Sequence, residues 1–208
     1  MKKILVLLLT ILFITGCSGK LNERDLNRSI NEVKKVISSK QPHSNAYAIG
    51  FKYYKPRDFS VLEDKGFNQT LLHNSNKYYL NVDVNAYYYK FKSNFEKESD
   101  DYYSSSFQND GIEGYVRIKK TNNDYFYIKM MYNYSYVEVS VTENEIYDAI
   151  IDSSIILSSI KYNDKIISTY MGNAVSSSLE SKYEVKKPKQ EKTERQNVLD
   201  YYEGNNQN

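Results

Sequence analysis

From Tyr78 to Ala86 the chain alternates strictly, with Tyr78, Leu80, Val82, Val84 and Ala86 on one set of positions and Tyr79, Asn81, Asp83 and Asn85 on the other. Side chains of a strand point to opposite faces in turn, so this run has one apolar and one polar face. Such a strand belongs in an antiparallel sheet covered on one side only. The same period returns at Gly114 to Lys119, where Val116 and Ile118 face inward, and again at Tyr125 to Tyr132 and Tyr134 to Val141. Thr121-Asn122-Asn123-Asp124 turns the chain before this last pair, and Asn133 separates its two strands. Shorter strands are expected from Tyr47 through Ile49 and Phe51 to Tyr54, at Phe59 to Leu62 and at Asn68 to Leu72, with Pro56 and Asn74-Ser75-Asn76 as breakers.

Helical spacing frames these strands. Leu26, Ile30, Val33 and Ile37 predict an amphipathic helix from about Asp25 to Ser39, ended by Gln41-Pro42-His43-Ser44. Thr142 and Glu145 make a capping box, followed by Ile146, Ala149, Ile150, Ser153, Leu157 and Ile160 on one helix face. Between Tyr87 and Asp110 neither period holds, so an irregular insertion with a single helical turn is expected. After Gly172 the chain turns polar, and from about Lys182 it is too poor in apolar residues to offset the entropy of ordering. The fold class expected is α+β: an antiparallel sheet flanked by an N-terminal and a C-terminal helix, with a disordered C-terminal tail. One domain spans residues 25–172 and the tail 173–208.

The first residues carry a different message. Lys2-Lys3, an apolar run from Ile4 to Ile14, and Ile14-Thr15-Gly16-Cys17 follow in order, and Cys17 is the one cysteine of the chain. The run suits a secretory leader and is too short to span a bilayer. This segment resembles the lipobox signal of bacterial lipoproteins, with Thr15 a mild departure from the pattern. The resemblance implies that residues 1–16 are removed between Gly16 and Cys17, and that the Cys17 thiol carries a diacylglyceryl group. Residues 17–24 then serve as anchor and spacer. Two acyl chains hold a protein stably on a membrane, where one does not. The competing reading is an ordinary buried thiol at the end of an uncleaved anchor. The expected location is the extracytoplasmic face of the cell membrane, and the Tyr, Lys, Asn and Ile bias is compatible with an AT-rich, Gram-positive genome.

Composition narrows the function. Without Lys2 and Lys3, 26 basic residues face 26 acidic ones. A balanced chain has no field with which to gather nucleic acid, so none is expected as a partner. With Cys17 acylated no internal disulfide is available, and stability must come from the core. His43 and His73 are the two histidines, each read as a solvated loop residue, and neither finds the ligand spacing of a zinc site. Ser104-Ser105-Ser106 and Ser176-Ser177-Ser178 lack a nucleophile elbow. Asn109-Asp110-Gly111-Ile112-Glu113 and Asp100-Asp101 do not follow EF-hand spacing and read as acidic turns. No catalytic residue, metal or cofactor is assigned.

Tyrosine is used 22 times and Trp not at all. If Phe126, Ile128 and Met130 point inward, Tyr125 and Tyr127 point outward, and with Val137, Val139 and Val141 inward, Tyr134 and Tyr136 join them. Tyr115 continues the set on the preceding strand. Tyrosine offers contact area with a polar tip at low entropic cost, so this face is the candidate binding surface for a sugar or a protein. The competing readings are cross-strand pairing and a second helix layer.

The order of elements, with Tyr54-Lys55-Pro56-Arg57-Asp58-Phe59-Ser60-Val61, the paired strands before Thr142 and a closing helix ending Ile156-Leu157-Ser158-Ser159-Ile160, resembles the PsbP-like fold of small bacterial lipoproteins over roughly residues 47–162. The Trp often found after the proline in that fold is here Phe59. The resemblance implies a binding or assembly module and transfers no functional residue. The expectation is therefore a non-catalytic, membrane-anchored lipoprotein that binds a protein or a cell-envelope polymer. The alternative is an envelope hydrolase whose carboxylates only the fold brings together.

Overall fold

The computed structural model describes residues 22–121 and 124–176, with side chains to Gly172. The leader, Cys17 and the polar tail lie outside these residues. Helix α1 runs Glu23–Ser38. A short hairpin follows, β1 Ala46–Ala48 and β2 Phe51–Tyr53, then β3 Ser60–Lys65, β4 Asn68–His73 and β5 Asn76–Val82. Helix α2 is Val84–Tyr89. The chain continues through β6 Tyr103–Asn109, β7 Ile112–Lys120, β8 Tyr125–Tyr132, β9 Ser135–Thr142, α3 Ile146–Ser158, β10 Lys161–Tyr162 and α4 Asp164–Ser176.

Seven strands form one antiparallel sheet in the order β3-β4-β5-β9-β8-β7-β6, and β1-β2-β10 form a small second sheet. The antiparallel sheet with an N-terminal and a C-terminal helix is the architecture that the two periods predict. Both helices lie on the same face: α1 packs along α3 and β6, and α3 on β8 and β9. Under them lie Val116 and Ile118, Phe126, Ile128 and Met130, and Val137, Val139 and Val141, all buried. Leu26, Ile30, Val33 and Ile37 of α1 and Ile146, Ala149 and Ile150 of α3 close that core. At roughly 25 cal/mol per Å² of apolar surface removed from water, this layer dominates the stability of a chain without a cross-link.

Local chemistry sets the ends of the elements. Asn22 caps α1 by accepting from the Asp25 amide at 3.0 Å, while Asp25 reaches back to Asn22, so the helix starts two residues before the expected Asp25. The Thr142–Glu145 capping box forms as expected and is held in a short 3₁₀ turn, Glu143–Glu145, leading into α3.

The predicted strand Tyr78–Ala86 ends early. Asp83 Oδ1 accepts from the Ala86 amide at 2.8 Å and caps α2, so Val84 and Ala86 are helical. Val84 is buried all the same, which is why the alternation runs on past the strand. The expected Tyr47–Tyr54 strand is a hairpin folded at Ile49-Gly50, where Gly50 has φ of +81° and a Cβ would sit 2.5 Å from the Phe67 ring. Within the expected irregular stretch 87–110 lies all of β6. Its polar Ser104-Ser105-Ser106 run is tolerated because β6 is an edge strand. Two elements follow the helix expected to be last: β10, and α4, whose Ile167 and Met171 are buried.

Candidate functional site

The sheet face opposite the helices is built by the residues between the core positions. In cross-strand register Tyr115 stands beside Met131, and Met131 beside Tyr136. In the next row Arg117, Lys129, Glu138 and Tyr79 follow one another across β7, β8, β9 and β5. Lys119, Tyr127 and Ser140 form the third row, and Tyr125 pairs with Thr142 beyond it. Tyr115, Tyr125, Tyr127 and Tyr136 therefore share one face, as the alternation predicts, and each is half-buried. Tyr134 departs from them. It sits with Asn133 in the β8–β9 turn, both at positive φ, and its ring meets Tyr87 of α2 edge-on at 5.6 Å.

At the centre of this face is Glu138, with no exposed surface. Its Oε1 accepts from the Tyr127 hydroxyl at 2.6 Å and lies 3.2 Å from Lys129 Nζ. Its Oε2 is buried without a partner among the described residues. Lys129 Nζ also sits 4.2 Å from the centroid of the Tyr136 ring. Burial raises the Tyr127 hydroxyl pKa well above the usual tyrosine range, and the hydrogen bond to Glu138 raises it further. Tyr136 shifts the same way by burial and then by the Glu138 charge. These hydroxyls stay protonated donors at every physiological pH. Alternation identified the rings, but their organising carboxylate was missed because an isolated Glu in Val137-Glu138-Val139 reads as a solvated position.

A strap without regular structure, residues 91–101, crosses one side of the face. Phe95 stacks on Tyr115 with centroids 5.2 Å apart. Arg117 donates to the Glu96 carbonyl, pairs with Glu98, and holds the Asp101 carboxylate with Nε at 3.0 and 3.3 Å from its oxygens. Lys119 pairs with Glu98 and, at 3.0 Å, with Asp100. The hydrogen bond and charge of Lys119 hold the Asp100 carboxyl below its ordinary range. Glu98, Asp100 and Asp101 are close enough to one another to share a cation, but their charge is answered by Arg117 and Lys119. The Asn109–Glu113 turn is at the far end of the β6–β7 hairpin from Asp100-Asp101, so the two acidic segments do not form one site.

His73 is not the solvated loop residue expected. It ends β4 half-buried, stacked on Phe59 at 4.4 Å, with Nδ1 3.3 Å from Asp152 Oδ2 of α3. Burial raises the Asp152 carboxyl pKa against the lowering effect of His73. His43 is exposed. Cys17 and Gly16 lie outside the described residues, and among those described no helix is long and apolar enough to cross a membrane.

Comparison with known proteins finds no matching family model, curated protein or solved structure.

Proposed function

We propose that this protein is a membrane-anchored lipoprotein of the extracytoplasmic face whose sheet presents a binding surface to a protein or polymer of the cell envelope. The observation that carries the reading is the tyrosine face itself. Helices α1 and α3 pack on the opposite side, and Tyr115, Tyr125, Tyr127 and Tyr136 lie partly buried along the open face, where the Glu138–Lys129 pair holds Tyr127 and Tyr136. Rings fixed in this way present area and hydroxyl groups without further ordering cost, which favours recognition. The envelope-hydrolase alternative gains less support, since the acids that converge on this side, Glu98, Asp100 and Asp101, are engaged by Arg117 and Lys119.

The lipobox supports the anchor, and an anchor at Cys17 constrains how the domain is oriented. Cys17 is followed by five residues to Asn22, the cap of α1, which reach at most about 18 Å. The anchor thus fixes which end of the domain faces the membrane: the N-terminus of α1, where Tyr103 at the start of β6 donates to Asn27 at 2.8 Å.

Acyl labelling of cells that express Cys17→Ser tests the anchor, and labelling equal to that of the parent chain overturns it. Changing Tyr125 and Tyr136 together to Ser tests the surface. The pair leaves Tyr127 on Glu138, so folding is retained while capture of envelope material falls.

A further inference from the structure

Where the tyrosine face reaches the end of the sheet farthest from α1's N-terminus, a cleft of about 140 Å³ opens between the β6–β7 and β8–β9 turns and the start of the strap. We infer that this cleft binds an N-acetylated amino sugar of an envelope glycan. The inference deepens the binding reading above and rests on it for the identity of the compartment.

The polarity of the domain comes first. α1 runs alongside β6, with Tyr103 on Asn27 at one end and Asn109 reaching the Ile37 carbonyl at the other. Its 16 residues rise about 24 Å. The β6–β7 turn at Asp110-Gly111 and the β8–β9 turn at Asn133-Tyr134 share the end near Ile37, so the cleft opens one helix length away from the anchored end. With the domain anchored at Cys17 and α1 directed away from the membrane, the cleft would face the envelope polymer and not the lipid headgroups.

The lining matches a sugar in kind. Phe91 forms one wall, and it is 60% exposed. With Tyr88 and Tyr89 it makes an uncovered aromatic row, ring to ring at 5.0 and 5.5 Å. Three of the large exposed apolar side chains thus fall within four consecutive residues. The backbone that carries the row is fixed: Lys90 adopts φ of +57° and ends α2, with its ammonium 3.6 Å from the centroid of the Tyr87 ring. The Phe91 amide donates to Ala86 at 3.0 Å. An exposed ring of this kind can stack on the axial C–H groups of a pyranose. Ile112 and Met131 add apolar lining to that of Phe91, and Gln108, Glu113 and Asn133 bring amide and carboxylate groups to the same cleft. An acetamido methyl fits the apolar lining, and its N–H and carbonyl fit the amide and carboxylate groups. Met131 lies in register between Tyr115 and Tyr136, so a longer glycan continues from the cleft onto the tyrosine face.

Methyl-labelled full-length chain in detergent micelles, titrated with the β-1,4-linked tetramer of N-acetylglucosamine, tests this. The Met131 methyl resonance is expected to shift saturably. Phe91→Ala should weaken the apparent affinity roughly tenfold or more, while Tyr47→Ala, which removes a ring 67% exposed on β1 across the sheet, leaves it unchanged. No shift at millimolar tetramer with the domain folded overturns the inference, as does equal affinity of Phe91→Ala and the parent chain. Both readouts are independent of acylation, so a failed anchor and a failed sugar site are told apart by the labelling experiment on Cys17→Ser.

Discussion

The two faces of the seven-stranded sheet are made by the same strands and held by different physics. Under α1 and α3 the sheet is dry: Ile128, Val137, Val139 and Met130 are fully buried and are held by area alone. On the opposite face the same strands carry tyrosine, lysine, arginine and one buried glutamate, and order comes from directed contacts such as Tyr127–Glu138 and Lys129 over Tyr136. The first face specifies the fold. The second is pre-arranged at the expense of desolvating Glu138, which a face serving only as a surface has no need to do.

Truncation should separate the faces most clearly. Ile128→Ala on the helix side is expected to cost about 2–5 kcal/mol, since a cavity forms between α3 and the sheet. Tyr125→Ser on the other face, where the ring is only partly buried, should cost less, about 1 kcal/mol. Denaturant melts of both variants check this, and equal losses would erase the distinction between the faces.

Gly114, on β7 between β6 and β8, tests how much the sheet tolerates in close contact. A Cβ there would sit 2.4 Å from the Phe107 ring and 2.8 Å from the Met131 carbonyl oxygen. Gly114→Ala should therefore destabilise by about 1–3 kcal/mol, read as a lowered melting temperature.

Glu138 is the sharper case. Glu138→Ala is expected to cost about 1–3 kcal/mol, because the Tyr127 hydroxyl loses its acceptor, whereas Lys129, a quarter exposed, can turn to water. Tyr127→Phe should cost less in the Glu138→Ala background than alone, and strict additivity in that cycle would show that the pair does not act as a unit.

How much of this was legible in the sequence depends on which face a residue serves. Period-2 alternation located Val116, Ile118, Phe126, Ile128, Val137 and Val139, because apolar burial leaves a pattern, and the Thr142–Glu145 box located the closing helix. Tyr115, Tyr125, Tyr127 and Tyr136 followed from parity alone. Tyr134 did not, since two consecutive residues at positive φ take it out of the strand, and although Asn133 favours that conformation a tyrosine does not signal it. Strand β6 hid behind three serines because an edge strand need not be apolar, and α4 because only Ile167 and Met171, a single helical turn apart, are buried among its described residues. Glu138, His73–Asp152 and the cleft beside Phe91 depend on pairings between residues far apart in the chain, which one-dimensional patterning does not carry.

The smallest effect concerns the strap, which covers one side of the open face. The chain has no Trp, so Phe95→Trp, stacked on Tyr115, reports the strap by fluorescence without background. Asp100 is fully exposed, and its carboxyl is held below the ordinary 3.8, chiefly by its hydrogen bond to Lys119. A depressed carboxyl contributes its stabilisation above the unfolded value and loses it as pH falls through the folded one. The Asp100–Lys119 contact should therefore hold at neutral pH and weaken only as pH falls below the ordinary carboxyl value of 3.8. Because Asp100 is exposed, salt should weaken the same contact. Arg117→Ala removes the other half of the clamp, so in that background the fluorescence change should begin at higher pH while far-UV circular dichroism of the sheet stays constant. If acid instead releases strap and sheet together, the strap is part of the cooperative fold, and the open face is a wall of the core rather than a surface with its own cover.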